Sequence, residues 1–376
     1  MRSGGAARTL ALLASLAFGC SHCANERPPF SASFHARATP AATDDGSMHD
    51  LLAAARATRA RLQAGGDGSA RNAALAAQAA AVERAARRGP QRLARFLQDR
   101  CRWFAAEEPA KITAYYEPLL QARRQRDDRF RYPLYAMPGT AVLAALERRL
   151  GHPPRRADID GADALSGLGL EVAWLDDPVA RFFLHVQGSG RLQLEDGSVL
   201  RAAYAGNNGA GYRSVGSIML ERGLLQPGNA SAPAMRAWLA AHADARDALL
   251  FENPRYIFFR LLDRDGDGAQ GPVGAFGVPL TPERSVATDP VHVAGGNLLH
   301  IRSRRPRTGE DGTPTRWEAF ERIVFSHDAG AAIQGPSRVD VFWGTGEAAG
   351  TEAGHMNESG QVHVLLCGRA RRMTPN

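Results

Sequence analysis

Ala, Leu and Arg dominate the chain from about residue 48 to residue 104, in the spacing of amphipathic helices. Residues 47–50 have the form of a capping box, so the first helix is predicted to run from there to about Gln63, before the glycine-rich break at 65–68. A second helix is predicted to stop at Gly89-Pro90. A third is predicted to carry Leu93, Phe96, Leu97, Trp103 and Phe104. These helices are expected to support the fold, and they contain no candidate functional residues.

From Lys111 onward, short apolar runs alternate with turn residues, which predicts strands. Asp196-Gly197 predicts a hairpin turn. Helices are predicted at 141–150 and 231–248, and strands at 182–186, 192–194, 199–204, 256–262, 323–325, 339–343 and 362–366. With 39 Gly and 22 Pro, the chain has many breakers and short elements. This favours a mainly β fold of barrel-like units decorated by helices.

The N-terminus has the pattern of an export signal. Arg2 and Arg8 precede a short apolar run at 9–18, which is too short to span a membrane. Residues 16–20 (LAFGC) are similar to the lipobox of bacterial lipoproteins, which implies lipidation of Cys20 and, with Ser21 next, an outer-membrane destination. Ordinary cleavage near residue 24 is the alternative. Residues 1–20 are therefore predicted to be a signal peptide, and residues 21–47, rich in Pro, Ala, Ser and Thr, a flexible tether.

Composition places the chain among globular proteins, with 44% hydrophobic and 23% charged residues. Its net charge is +7, yet Lys111 is the only lysine, so Arg supplies the other 45 of the 46 basic residues. This bias resembles a coding preference more than a nucleic-acid surface, and no nucleic-acid partner is expected. Beyond the signal, no run approaches the ~18 apolar residues that a membrane span needs.

The cysteines and histidines give no zinc-binding spacing, and no metal or organic cofactor is expected. Export permits disulfides, and a bond between Cys101 and Cys367 is one option that the sequence leaves open. The loop at 263–268 (DRDGDG) opens like a calcium loop, but Gly274 stands where an EF-hand needs its bidentate Glu. A solvated loop is the better interpretation.

Asp340 is the most informative carboxylate. On the strand predicted at 339–343, Val339, Val341 and Trp343 share one face, whereas Asp340 and Phe342 share the other. A carboxyl group in this apolar run is expected to be desolvated, which raises its pKa and suits a general acid. The alternative is a structural Asp paired with Arg338 or with a neighbouring strand.

Four ordered blocks resemble the membrane-bound lytic murein transglycosylase A family. They are 113–118 (TAYYEP); 182–190 (FFLHVQGSG) with 204–216; 253–260 (NPRYIFFR) with 271–282 and 289–290; and 328–335 (DAGAAIQG) with 340–346. The resemblance implies a double-psi β-barrel domain with an inserted second β-domain and a groove between them. The implied boundaries are 48–120 for the N-terminal helices and first barrel part, 121–255 for the insert, and 256–370 for the rest of the barrel, a three-aspartate domain.

The resemblance also implies the chemistry: cleavage of the β-1,4 bond between N-acetylmuramic acid and N-acetylglucosamine in peptidoglycan, with a 1,6-anhydromuramic acid end. Asp340 would be the catalytic acid and base, supported by Asp328 and Asp289. The residues expected to bind substrate are Tyr115, Tyr116, Gln187, Ser189, Asn207 and Tyr212. The expected partners are glycan strands, the outer membrane through the lipid anchor, and other cell-wall synthesis or hydrolase proteins.

The chain departs from the family pattern at Ala114 and Ala331, where Gly is usual, and at Gln334, where Lys is usual. The lost Lys charge is expected to retune the acids or the grip on substrate. Two other functions stay open at this point. One is a non-catalytic glycan-binding wall protein, and the other is an aspartic protease, whose Asp-Thr/Ser-Gly outline Asp328-Ala329-Gly330 resembles.

Overall fold

A computed structural model describes residues 30–40, 43–65, 69–227, 230–262 and 271–368. The predicted signal peptide with Cys20 and the loop at 263–268 lie outside the described residues. Within them, every helix is too short or too polar to cross a lipid bilayer.

The described ranges contain nine α-helices and fourteen strands. The helices are α1 (Met48–Ala64), α2 (Ala70–Ala86), α3 (Pro90–Arg100), α4 (Thr140–Leu150), α5 (Pro178–Gln187), α6 (Val215–Glu221), α7 (Ala232–Ala241), α8 (Ala243–Phe251) and α9 (Glu347–Ala353), with a π-helical turn over Ala157–Gly161. The strands are β1 (His35–Arg37), β2 (Cys101–Ala105), β3 (Ala110–Glu117), β4 (Leu119–Arg123), β5 (Tyr132–Tyr135), β6 (Glu171–Leu175), β7 (Gly190–Gln193), β8 (Val199–Asn207), β9 (Ile257–Leu262), β10 (Ser285–Thr288), β11 (Leu298–Thr308), β12 (Pro314–Asp328), β13 (Arg338–Thr345) and β14 (Asn357–Cys367).

Six strands close into a barrel in the order β14-β11-β12-β10-β13-β3, with β3 pairing back to β14. Two of the pairs, β3 with β13 and β10 with β12, are parallel, and the others are antiparallel. The strand before the insert therefore pairs with strands after it, as predicted. The barrel core is built from apolar side chains of alternate strand positions, such as Ile112, Val286, Val341 and Val364.

The second unit lies between β3 and β10 in the chain. Its sheet has the order β5-β6-β4-β7-β8-β9, and α4 to α8 lie between its strands in sequence. The predicted barrel with an inserted β-domain is thus confirmed. The insert boundary predicted at 255 falls one strand too early, because β9 pairs with β8 in the insert sheet and not with the barrel.

Two secondary-structure predictions in this region need correction. Residues 182–186, predicted as a strand, belong to α5, because Asp177 caps the Val179 N–H at 2.8 Å and Pro178 fixes the first helical turn. An apolar run this short fits both the two-residue period of a strand and the 3.6-residue period of a helix, so the N-cap determines that the segment is helical. The single helix predicted at 231–248 is two helices, α7 and α8, separated at His242.

The N-terminal helices α1 to α3 pack on the outside of the barrel. Ser47 and Ser69 cap α1 and α2 by accepting backbone N–H bonds. The prediction that Trp103 and Phe104 continue the third helix is wrong. Helix α3 ends at Arg100, and Trp103 lies on β2, which pairs with the edge of β14 and buries the indole beneath the helices.

The flexible tether predicted for 21–47 is wrong over its described part. Phe30 and Phe34 are buried in the barrel core, and β1 pairs with β2. The Asp44 carboxylate and the Arg284 guanidinium, both almost fully buried, form two hydrogen bonds of 2.6 and 2.8 Å. Two buried aromatic side chains and a buried ion pair therefore hold this segment against the barrel, although its Pro-, Ala- and Ser-rich composition predicted a flexible tether.

A buried carboxylate joins the two units. Glu117, at the end of β3, is fully buried and accepts hydrogen bonds from Arg201 at 2.7 and 3.2 Å and from Arg191 at 3.1 Å. Both arginines belong to the insert. The barrel contributes Thr345, whose hydroxyl lies 3.2 Å from the same carboxylate. We call these four residues the Glu117 cluster.

A disulfide bond closes the outer edge of the barrel. Cys101 on β2 and Cys367 on β14 are directly opposite each other in the antiparallel pairing and are bonded. The pairing that the sequence left open is thus present. The bond links residues 266 positions apart.

We expect the double variant Cys101→Ala, Cys367→Ala to lose about 2–4 kcal/mol of unfolding free energy, because the bond restricts a very long loop in the unfolded chain. Urea unfolding of both proteins without reductant measures this difference. Adding reductant should lower the stability of the wild type alone. Equal unfolding midpoints without reductant would contradict a disulfide that contributes to stability.

Candidate active site

Asp340 lies in the middle of β13, between two barrel strands. It stands opposite Thr113 of β3 on one side and Ala287 of β10 on the other. The predicted alternation is confirmed, since Val339, Val341 and Trp343 face the barrel core and Asp340 faces the other way. The Asp340 side chain is half-buried there and accepts a short hydrogen bond from the Thr113 hydroxyl.

The surroundings raise the pKa of Asp340 above its usual range. Burial is the largest cause, since it disfavours the charged carboxylate, and the negative charge of Asp328 adds to it. The Arg338 guanidinium and the Thr113 hydroxyl act in the opposite sense on the pKa of Asp340 without cancelling the rise. A carboxyl group of this kind holds a proton at a pH where an exposed Asp has lost it, which is what a general acid needs.

Asp328 ends β12 and is fixed by three donors. Its carboxylate accepts hydrogen bonds from the Tyr115 hydroxyl at 2.7 Å and from the backbone N–H groups of Ala275 and Ala329 at 2.9 Å each. Burial raises the pKa of Asp328, while these donors pull it down. The pKa of Tyr115 is raised well above its usual value, chiefly by burial and then by Asp328, so the phenol keeps its proton and remains a donor.

Asp289 has a different setting. It follows β10, and its carboxylate accepts backbone hydrogen bonds from Gly335 at 2.8 Å and from Val291 at 3.0 Å. It thereby ties its own turn to the end of the loop that begins at Asp328. Asp289 therefore has a structural role, which is to hold this loop in place.

Behind Asp328 lies a buried histidine that the sequence did not single out. His327 is sandwiched between the rings of Phe276 and Phe325, and its Nε2 and Nδ1 lie 2.7 and 2.8 Å from the hydroxyls of Thr58 and Ser285. Burial lowers the pKa of His327 to about 3, so the ring is neutral. Through Thr58, helix α1 is thus fastened to the residue that precedes Asp328.

The six predicted substrate-binding residues divide into two groups in the structure. Tyr115 and Tyr212 lie around the two acids: Tyr115 donates to Asp328, and the charge of Asp340 contributes to the raised pKa of Tyr212, whose main cause is burial. Since Tyr212 belongs to the insert and Asp340 to the barrel, the site lies where the two units face each other.

The other four have separate settings, and of these only the contact between Gln187 and Tyr116 joins the two units. The Gln187 side chain accepts a hydrogen bond from the Tyr116 N–H at 3.0 Å, while the Tyr116 ring packs against Gly350 of α9. Ser189 is half-buried between α5 and β7. The Asn207 amide donates to the Tyr204 hydroxyl at 2.6 Å, and its oxygen accepts from the Gly209 N–H.

Three further side chains complete this description. Thr113 was not predicted as a site residue, although it is the first residue of the TAYYEP block. Only the register of β3 against β13 shows that it lies opposite Asp340. Gln334 is exposed and donates to the Ala331 carbonyl of its own loop at 3.1 Å. Trp343 is a core residue whose indole N–H donates to Glu352 at 2.9 Å.

Comparisons with known proteins agree on one family. The family model described as MltA specific insert domain matches residues 111–260, and the model described as 3D domain matches residues 284–366. The membrane-bound lytic murein transglycosylase A of Vibrio cholerae is 34% identical over 259 residues, which are 68% of this chain and 64% of that relative. The match therefore spans less than two thirds of the relative's length.

Solved structures give the same result over more of the chain. The crystal structure of Escherichia coli MltA with bound chitohexaose matches with a TM-score of 0.70 at 28% identity, covering 89% of this chain and 94% of that one. The membrane-bound lytic murein transglycosylase of Agrobacterium tumefaciens matches with a TM-score of 0.68 at 30% identity, covering 87% and 98%.

We expect two substitutions beside Asp340 to move its pKa in opposite directions. Thr113→Val removes a hydrogen bond that stabilises the charged form, so the pKa of Asp340 should rise. Asp328→Asn removes a neighbouring negative charge, so it should fall. Carboxyl ¹³C NMR of labelled aspartates measures both, with the exposed Thr315→Val as the control that leaves it unchanged. Shifts of the same sign would contradict this electrostatic account.

Proposed function

Because the chain belongs to the membrane-bound lytic murein transglycosylase A family, we propose that it cleaves the β-1,4 bond between N-acetylmuramic acid and N-acetylglucosamine in peptidoglycan. The product is a 1,6-anhydromuramic acid end. The observation that carries this proposal is Asp340, a half-buried carboxyl group with a raised pKa, at the junction of barrel and insert. The bound chitohexaose of the similar E. coli structure supports a glycan as the ligand.

One carboxyl group serves both steps of the reaction. Protonated Asp340 donates its proton to the glycosidic oxygen as the bond from that oxygen to the muramoyl anomeric carbon breaks. The resulting carboxylate accepts the proton of the muramoyl C6 hydroxyl, whose oxygen bonds to the anomeric carbon. No water is consumed. The usual pair of carboxylates at fixed separation is therefore not required.

The other two acids support Asp340 in different ways. Asp328, held by Tyr115 and two backbone donors, raises the pKa of Asp340 through its charge. Asp289 holds the loop that connects Asp328 to β13. The catalytic role is assigned to Asp340 alone, because Asp328 is already engaged by three donors.

The junction between the units supplies the glycan contacts. We assign the sugar-facing surface to Tyr212, Ser189 and Asn207, whose rings, hydroxyls and amides suit sugar faces and N-acetyl groups. Tyr115, Tyr116 and Gln187 act mainly by holding this surface, because Tyr115 is bonded to Asp328 and Gln187 to the Tyr116 backbone.

We propose that the protein works from the periplasmic side of the outer membrane, anchored by lipid on Cys20. The support is the apolar run at 9–18 followed by Gly19-Cys20, together with the membrane-bound relatives. The net charge of +7 suits a sacculus whose stem peptides carry carboxylates.

We expect Asp340→Asn to fold normally and to lose 10²–10⁴-fold or more of its cleavage rate, the usual worth of general acid–base catalysis. Asn keeps the size of the side chain but neither donates a carboxylic proton nor accepts one. Mass spectrometry of 1,6-anhydromuropeptides released from sacculi, with the melting temperature of the same sample, measures both effects. Asp128→Asn, a change of the same chemistry at an exposed position of the insert, is the matched control. A well-folded Asp340→Asn variant with the wild-type rate would refute the catalytic assignment.

The lipid anchor is tested separately. We expect Cys20→Ala to move the protein from the membrane fraction to the soluble fraction while its specific activity stays unchanged, since the variant lacks only the thiol that carries the lipid. Fractionation followed by immunoblotting measures this, with Cys23→Ala as the matched control that stays membrane-bound. Membrane association of Cys20→Ala equal to that of the wild type would exclude lipidation of Cys20 as the anchor.

A further inference from the structure

The insert contains a cavity that the proposed reaction does not use. It has a volume of about 170 Å³ and lies between β5, the π-helical turn, α5 and α8. One ordered water needs roughly 10–15 Å³ in this measure, so the cavity has room for a small organic group. Part of its wall is apolar, formed by Pro133, Ile159, Pro178, Phe182, Leu250 and Phe251.

The floor of the cavity carries an excess of positive charge. The buried guanidiniums of Arg156 and Arg181 share the single carboxylate of Asp160, at 3.2 and 2.9 Å. The Tyr256 hydroxyl also bonds to Asp160, at 3.1 Å. His185, next to Arg156, adds no charge, because burial holds its pKa well below the usual value. Two cations thus face one anion.

The two guanidiniums are not fully satisfied by the protein itself. The Nε atoms of Arg156 and Arg181 are buried and have no hydrogen-bond partner. Leaving a buried charged donor unpaired costs free energy. Tyr135 also lines the cavity, and burial raises its pKa to about 12, so its hydroxyl stays protonated. Since the two Nε atoms are enclosed by protein, an incoming carboxylate meets the Tyr135 hydroxyl and the positive charge of the two guanidiniums.

The mouth of the cavity has the opposite character. Asp163 and Asp247 line it and are exposed, together with Arg131. Arg246 already donates to Asp247 at 2.8 Å, so Asp163 is the carboxylate better placed to receive a ligand. Asp163 has a positive φ of 50°, and its negative charge acts on Tyr135. Negative charge at the mouth suits an ammonium group.

We propose that this cavity binds a zwitterionic amino-acid head, with the α-carboxylate on Arg181 and Tyr135 and the α-ammonium near Asp163. The inference rests on the proposed function in one respect: a diamino acid in a peptidoglycan stem peptide ends in such a head. The cavity then holds the stem peptide of a strand whose glycan lies at Asp340. The charge of Arg156, on the cavity floor, acts on Tyr212, so the two sites interact electrostatically.

The test measures equilibrium binding of small probes that undergo no reaction. The probes are D-alanine, N-acetyl-D-alanine, which lacks the cation, and D-alaninamide, which lacks the anion, each titrated into the purified protein and followed by NMR. We expect D-alanine to bind at least tenfold more tightly than either blocked form. Equal binding of N-acetyl-D-alanine would overturn the zwitterion assignment, and no binding of D-alanine up to tens of millimolar would overturn the site.

Two conservative variants locate the site. Tyr135→Phe removes only a hydroxyl, and Asp163→Asn removes a charge with a residue that tolerates positive φ. Each should weaken D-alanine binding at least fivefold, whereas the exposed Asp128→Asn should not. Wild-type affinity in both variants would place the binding elsewhere and overturn the proposal.

Activity measurements keep the two proposals separate. On strands with stem peptides, Tyr135→Phe and Asp163→Asn should raise KM at least threefold with kcat unchanged, and on peptide-free strands they should match the wild type. An unchanged KM on peptide-bearing strands would overturn the stem-peptide role. If the wild type released no anhydromuropeptides at all, the transglycosylase proposal would fail, while the D-alanine titrations would still decide the cavity.

Discussion

The buried carboxylate of Glu117 sets the relation between the two units on which the site depends. It is fully removed from solvent, and it is satisfied only when Arg191 and Arg201 of the insert and Thr345 of the barrel are all in place. An uncompensated buried charge typically costs about 3–5 kcal/mol, so alternative placements of the insert are strongly disfavoured. Glu117 lies only four residues beyond Thr113 on the same strand, so these contacts between the units are formed close to Asp340.

At Asp340 the structure balances opposing effects instead of maximising either. Full solvation would leave an ordinary carboxylate with no proton to give, and complete isolation would leave an acid too weak to give it. Burial and Asp328 act in one direction, and Thr113 and Arg338 act in the other. In the proposed reaction the same group is an acid first and a base afterwards, so an intermediate proton affinity serves both roles. Asp328 in turn depends on Tyr115 and on the His327 sandwich behind it.

The sequence correctly predicted those helices and strands that are determined by residues close to them in the chain. The two-residue period placed Asp340 opposite the core face, and the caps and glycines placed α1 and α2. The run at 182–186 was mispredicted because its four apolar positions fit both the strand period and the helix period, and only the cap at Asp177 separates the two. Residues 30–47 looked like a tether because their composition conceals Phe30, Phe34 and Asp44, whose partners are distant in sequence. The same holds for Thr113 and His327, whose partners are 227 and 269 residues away.

The closure of the barrel has a consequence for the order in which the molecule assembles. Strand β3 is made early, but its neighbours β13 and β14 follow only after the whole insert. The insert strands β7 and β8 form a hairpin and need no such wait. Long-range pairing is slow because a long loop must close before any contact forms, so we expect the barrel to close late. Until β13 pairs with β3, Asp340 therefore lacks its hydrogen bond to Thr113 and is not buried. The raised pKa of Asp340 is thus acquired only as the barrel closes.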